Sequence, residues 1–209
     1  MSALEATDLA MRFGSRWLFR DLSFRLESGE IMSVTGPNGS GKSTLVRILA
    51  GVLSPTKGAV KQTIDGNVVP DDRRSQSVGL VAPYLQLYDG LTLEENLRFV
   101  LKVRSAPHGP RELEHLMQRV ALADRAGDLV GTFSSGMKQR ARFATALATG
   151  SDLLLLDEPS SNLDEVGVDM VKDIIDGAVD DGKAIVLATN SAQETSWCGK
   201  NLAIGDFFR

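Results

Sequence analysis

The alternation of hydrophobic and polar positions changes rhythm along the chain. Residues 4–13 (LEATDLAMRF) and 18–26 (LFRDLSFRL) alternate, the second with Leu22, Phe24 and Leu26 on one face and Arg20, Ser23 and Arg25 mostly off it. That period predicts strands with one covered face. ESGE (27–30) is a turn, and IMSVT (31–35) is apolar without alternation, as in a strand covered on both faces. LVRILAGVL (45–53) has helical spacing, SPTKGAV (54–60) is a Pro/Gly turn into another strand, and SVGLVAPY (77–84) reads as a further strand. From about 85 to 130 the period is helical. TLEENLRFVLKVR (92–104) and RELEHLMQRVAL (111–122) are amphipathic, SAPHGP (105–110) parts them, and Thr92 with Glu95 forms a capping-box pattern. Alternation of elements then resumes. SSGMKQRARFATALATG (134–150), DEVGVDMVKDIIDGAV (164–179) and AQETSWC (192–198) predict helices; DLLLLD (152–157), KAIVLAT (183–189) and NLAIGD (201–206) predict strands.

Strand–helix–strand order argues for an α/β fold with a mainly parallel sheet and helices on both faces. The expected layout is one domain over 1–209. Residues 1–84 and 131–209 form its α/β core, with an antiparallel β portion at the N-terminus, and 85–130 form a small helical subdomain.

Composition narrows the classes. With 209 residues there is room for one sizeable core. The formal net charge of −4 gives no general pull toward nucleic acid or anionic membrane. No run approaches a membrane span, and the acidic N-terminal segment does not read as a signal peptide. Cys198 is the single cysteine, so no intrachain disulfide forms; a small packing residue in a reducing compartment is expected.

GPNGSGKS (36–43) between an apolar strand and a helix satisfies G-x-x-x-x-G-K-[ST]. Gly36, Gly39 and Gly41 let the backbone wrap a polyphosphate with its N–H groups turned inward. The helix start adds a positive dipole end. Lys42 reaches the β- and γ-phosphates, and Ser43 can ligate Mg²⁺. Pro37, Asn38, Ser40 and Thr44 complete the nucleotide-binding loop. In LLLLDEPSSNLD (153–164), Asp157 ends the strand where a carboxylate can hold the metal, and Glu158 can poise water as general base; the alternative is that both simply begin a loop.

The order of GPNGSGKST, FSSGMKQR and LLLLDEPSSNLD over nearly the whole chain resembles the ATP-binding subunit of ABC transporters, a P-loop, RecA-like fold. FSSGM (133–137) is similar to the family's LSGGQ signature, keeping Ser134 and Gly136 but with Phe133, Ser135 and Met137 at the other positions. The resemblance implies that Ser134, Ser135 and Gly136 close over ATP held by another subunit, in a head-to-tail homodimer or heterodimer. Lys138, Arg140 and Arg142 crowd this helix start against its dipole, so they either lie on a solvated face or await an anion. Phe13 matches the family's adenine-stacking aromatic, or it is a core residue. SNLD (161–164) is similar to the D-loop.

Two positions depart from the family. Pro83 stands where a glutamine contacts Mg²⁺ and water; it has no polar side chain and no N–H. Gln86, three residues on, takes over as a metal-site group or is a surface residue. Asn190 stands where the family has its switch histidine. Its amide can donate to the γ-phosphate but cannot relay a proton; the other reading is that it caps the next helix.

The resemblance implies an ATPase with ATP and Mg²⁺ as cofactors, catalytic Lys42, Glu158 and Asn190, and a separate transmembrane permease. It implies a cytoplasmic, peripheral place at the inner face of the membrane, with no nucleic acid partner. A C-terminal regulatory domain is not expected. The stretch from the P-loop to SPTKG is also similar to the haem-exporter ATP-binding subunit of cytochrome c maturation. Two rival readings are a nucleotide-gated dimerising module with little hydrolysis, because of Pro83 and Asn190, and a soluble ATPase of DNA repair or translation.

Overall fold

The computed structural model describes residues 2–104 and 109–207. Its strands are β1 (Ser2–Phe13), β2 (Arg16–Glu27), β3 (Ile31–Thr35), β4 (Lys57–Ile64), β5 (Asn67–Val68), β6 (Val78–Val81), β7 (Leu153–Asp157), β8 (Ala184–Ala188) and β9 (Lys200–Ala203). Its helices are α1 (Lys42–Leu49), α2 (Leu93–Val103), α3 (Pro110–Arg119), α4 (Ser135–Ala148), α5 (Glu165–Asp180) and α6 (Ala192–Ser196). The first sheet is antiparallel, ordered β2-β1-β4-β5. The second is parallel, ordered β6-β7-β8-β3-β9.

The alternation in the first sheet is imperfect for a physical reason. Pairing of β1 slips between Ala6 and Leu9 on one side and between Thr7 and Ala10 on the other. Asp8 takes a left-handed backbone there, φ 49°. Gly58 lies against this bulge with φ +83°, and a Cβ on it would sit 2.4 Å from the Thr7 and Asp8 carbonyl oxygens. Only glycine lets β4 pass so close.

The parallel sheet divides the interior. Leu153, Leu155, Ala184, Val186 and Ala188 face the antiparallel sheet and α1. Leu154, Leu156, Ile185 and Leu187 face the other way, toward the core residues of α2 to α5. All four β7 leucines are buried, each contributing about 2 kcal/mol before chain entropy is subtracted. The two helices between 85 and 130 therefore share one core with α4 and α5, through Leu93, Leu97, Leu113 and Met117.

The first helix starts at Lys42, as the phosphate-loop reading expects, directly from the loop glycines. Several expected ends move. β6 ends at Val81, not 84, because Pro83 has no N–H to extend the ladder. β9 covers Lys200–Ala203, and Ile204–Phe207 is a 3-10 turn instead of strand. α3 starts at Pro110 and ends at Arg119, before the positive φ of Ala121. Of the SAPHGP break, residues 105–108 lie outside the described residues. The capping box forms: Thr92 Oγ1 accepts from Glu95 N–H at 3.2 Å, and the Glu95 carboxylate accepts from Thr92 N–H at 2.8 Å. Among the described residues no helix is long and apolar enough to cross a membrane.

Candidate functional site

The carboxyl ends of β3, β6, β7 and β8 meet at one edge, where open α/β sheets place their ligands. The loop after β3 turns through Gly36, Gly39 and Gly41 at φ 149°, 79° and 105°. A Cβ on Gly36 would meet Ile204 at 2.7 Å and Ser40 Oγ at 2.9 Å. Leu18, Asn38, Gly39, Gly41, Lys42, Ser43, Thr44 and Glu158 line a cleft of about 320 Å³ here. Lys42 is buried, and its ammonium donates to Gly36 O at 2.7 Å and to Asn190 Oδ1 at 2.9 Å, with Glu158 Oε1 3.9 Å away.

Asp157 pairs with Ala188 of β8 and is buried. Burial raises its carboxyl pKa, against the pull of Ser43, Arg47 and Lys42. Its Oδ1 has no hydrogen-bond partner. A buried oxygen left open beside the Ser43 hydroxyl suits Mg²⁺, which takes one or two protein oxygens and completes its shell from phosphates and water. No cluster of three or more His, Cys, Asp or Glu that could hold a metal occurs among the described residues. Glu158 follows with its backbone left-handed, φ 49°, and its N–H donating to Ala188 O at 2.8 Å. Burial raises its pKa; Lys42 lowers it, while Glu194 and Asp157 add to the rise. The cleft brings Glu158 to the P-loop lysine.

Asn190 is exposed at the end of β8. It accepts from Lys42 through Oδ1 and donates through Nδ2 to Asn38 Oδ1 at 2.6 Å. The helix-cap reading of Asn190 is corrected: Ser191 is the N-cap of α6, accepting from Glu194 N–H at 3.3 Å.

Ser134 caps α4 by accepting from Met137 N–H at 3.2 Å. Ser134, Ser135, Gly136, Met137 and Arg140 line a second cleft with Asn162, Leu163 and Asp164, about 350 Å³ in volume. It shares no lining residue with the P-loop cleft. Gly136 faces Asn162 O so closely that a Cβ would lie 2.9 Å from it. The cations at this helix start have partners within the chain. Lys138 pairs with Asp89 at 2.9 Å, Arg140 with Asp164 at 3.2 Å, and Arg142 donates to Leu85 O at 2.8 Å.

The Phe13 ring is exposed, which removes the core reading and leaves a face free. Pro83 is exposed. Gln86 is exposed too and lines a different cavity, with Val78, Leu85, Val100, Arg104 and Arg142, away from the P-loop cleft. Cys198 is half-buried, its thiol pushed up to about 11 by burial, as a packing residue would be. Sequence reasoning missed Gln139, which is buried and donates to Pro159 O at 2.8 Å beside Glu158. Arg142 donates to its amide oxygen at 2.9 Å. A glutamine among alanines on α4 was the available signal.

The family model described as "ABC transporter" matches residues 19–161. The taurine import ATP-binding protein TauB of Jannaschia sp. is 32% identical over 98% of this chain and 78% of its own length. The linearmycin resistance ATP-binding protein LnrL of Bacillus subtilis is 28% identical over 97% of this chain and 66% of its own. A solved ATP-binding subunit of an ABC transporter superposes with a TM-score of 0.84 at 26% identity, covering 97% of this chain and 86% of that one.

Proposed function

Given that this chain belongs to the ABC transporter family, as an ATPase, we propose that it binds MgATP at the P-loop cleft, hydrolyses it and powers a separate membrane permease. The observation that carries the reading is the meeting of Lys42, Ser43 and Glu158 in one cleft, with Asn190 bonded to Lys42 and the buried Asp157 carboxyl under the influence of Ser43 and Lys42. Phosphoryl transfer to water needs positioning and charge stabilisation more than covalent chemistry. The loop N–H groups and the α1 dipole hold the phosphates. Lys42 leaves Asn190 Oδ1 to meet them, and Asn190 Nδ2, which gives one proton to Asn38, donates its other proton to the terminal phosphate as a sensor. Asp157 and Ser43 would hold Mg²⁺, which when bound neutralises charge on the phosphates. Glu158, its pKa raised by burial, accepts the proton of the attacking water. The exposed Phe13 ring stacks on adenine.

The separate signature cleft supports a head-to-tail dimer, homomeric or with a similar subunit, in which Ser134, Ser135 and Gly136 of one copy face the nucleotide of the other. The place of action is the cytoplasmic face of the membrane, reached through the permease. Gln86 as a metal-site group has only its sequence neighbourhood behind it. Haem as cargo has only the P-loop stretch behind it. The relatives are named for taurine import and linearmycin resistance, and the reading assigns no cargo.

Steady-state hydrolysis with Mg²⁺ by wild type, Glu158→Gln and Asn190→His tests the reading. Turnover by wild type and its loss by at least 100-fold in Glu158→Gln, with ATP still bound, is expected. Wild-type protein that binds ATP without turnover, alone and with its permease, would favour the nucleotide-gated module. A gain in Asn190→His would then identify the missing imidazole as the limit.

A further inference from the structure

Glu158 opens a tight turn. Ser161 N–H donates to Glu158 O at 3.1 Å, so Pro159 and Ser160 are the central residues, with proline at the position that favours it. Glu158 enters this turn with a left-handed backbone, φ 49°, which in a residue with a side chain persists only where the surroundings fix it. From the sheet, Ala188 O holds the Glu158 N–H at 2.8 Å.

The peptide between Pro159 and Ser160 is trans, so its carbonyl and its N–H point in opposite directions. Each meets a buried side chain. Gln139 Nε2, from α4, donates to Pro159 O at 2.8 Å. Glu194 Oε1, from α6, accepts from Ser160 N–H at 3.2 Å. Gln139 is 0% exposed and Glu194 3%. The Gln139 amide has one way round, because its oxygen accepts from Arg142 Nη1 at 2.9 Å and a guanidinium only donates. Stability alone does not account for Glu194. Its Oε2 has no hydrogen-bond partner, nor has Ser160 Oγ. One hydrogen bond is poor compensation for burying a carboxylate. What the two side chains accomplish together is to fix the plane of one peptide. Type I and type II turns differ by rotation of the central peptide, and Gln139 and Glu194 oppose that rotation from both sides.

We propose that Gln139 and Glu194 are positioning residues for the general base: they clamp the Pro159–Ser160 peptide from α4 and α6, and so hold the turn that presents Glu158 to the P-loop cleft. The inference rests on the reading that Glu158 activates water. Neither side chain lines that cleft, so each acts through the turn.

The test compares wild type with Glu194→Met, which keeps the volume and removes the acceptor, Glu194→Gln, which keeps an acceptor and removes the charge, and Gln139→Met, which removes the donor. Steady-state hydrolysis gives kcat and KM, calorimetry gives the affinity of a β,γ-imido ATP analogue, and NMR follows amide exchange at Ser160. In Glu194→Met and Gln139→Met, kcat should fall about tenfold, short of the hundredfold that a 1 Å misplacement can cost, with KM and analogue affinity unchanged. Exchange at Ser160 should quicken in Glu194→Met, and Glu194→Gln should recover both the slow exchange and most of the turnover. Wild-type kcat in Glu194→Met overturns the assignment and leaves Glu158 as the base. An equal loss in Glu194→Gln also overturns it, because the charge and not the clamp then matters. Weaker analogue binding overturns it as well, because the side chains then shape the nucleotide site. If Glu194→Met does not fold, Gln139→Met decides by the same kcat and affinity criteria. Wild-type turnover that survives Glu158→Gln overturns this inference together with the reading it rests on.

Discussion

Asp157 and Glu158 are two carboxyls pushed the same way, upward, mainly by burial. For a base the sign matters. Glu158 works only when ionised, so activity falls as pH drops through a pKa above the ordinary 4.5, with Lys42 limiting how far above. The kcat/KM profile should show an acid limb above that value; a limb at or below it would remove Glu158 from the role. The same shifts act oppositely on stability. The contribution of these carboxyls is present below their unfolded pKa values and is lost as pH rises through the raised ones. The P-loop, Asp157 and Glu158 were legible in the sequence because their chemistry is written in adjacent residues. The hydrogen bond from Lys42 to Asn190 joins residues 148 positions apart, and no local pattern announces it.

The elements were legible where their limits are local. The start of α2 is fixed by Thr92 and Glu95, two reciprocal hydrogen bonds within one turn. Thr92→Ala should lower stability by about 1 kcal/mol, read as a lower urea midpoint at unchanged m-value; no shift would mean that tertiary packing alone sets this end. The ends of β6 and β9 were not legible. Both segments stay apolar past their last ladder bond, so hydropathy continues where pairing stops. The cations of α4 teach a related lesson. Their sequence suggested an unfavourable helix start, yet Asp89 and Asp164 arrive from other segments to pair with Lys138 and Arg140. Exposed pairs of this kind each contribute only tenths of a kcal/mol, enough to offset a few opposed charges at a dipole.

At the scale of the molecule, the parallel sheet separates two cores that share no side chain among the described residues, one toward the antiparallel sheet and one toward the helices. At the carboxyl edge the P-loop lysine bonds side chains that follow β7 and β8. Unfolding cooperativity then depends on what occupies that edge. Without nucleotide, amide exchange should proceed through two sub-global openings, with the helical side and the antiparallel side protected to different extents. A ligand clasped by both sides adds its binding free energy to each opening that would release it. MgATP should therefore bring the two levels of protection together, and exchange measured by mass spectrometry would detect it. If the two levels stay as far apart with the nucleotide bound, one side carries the ligand alone. The sheet is thus a seam between two units of folding, and the nucleotide is the stitch that makes them open as one.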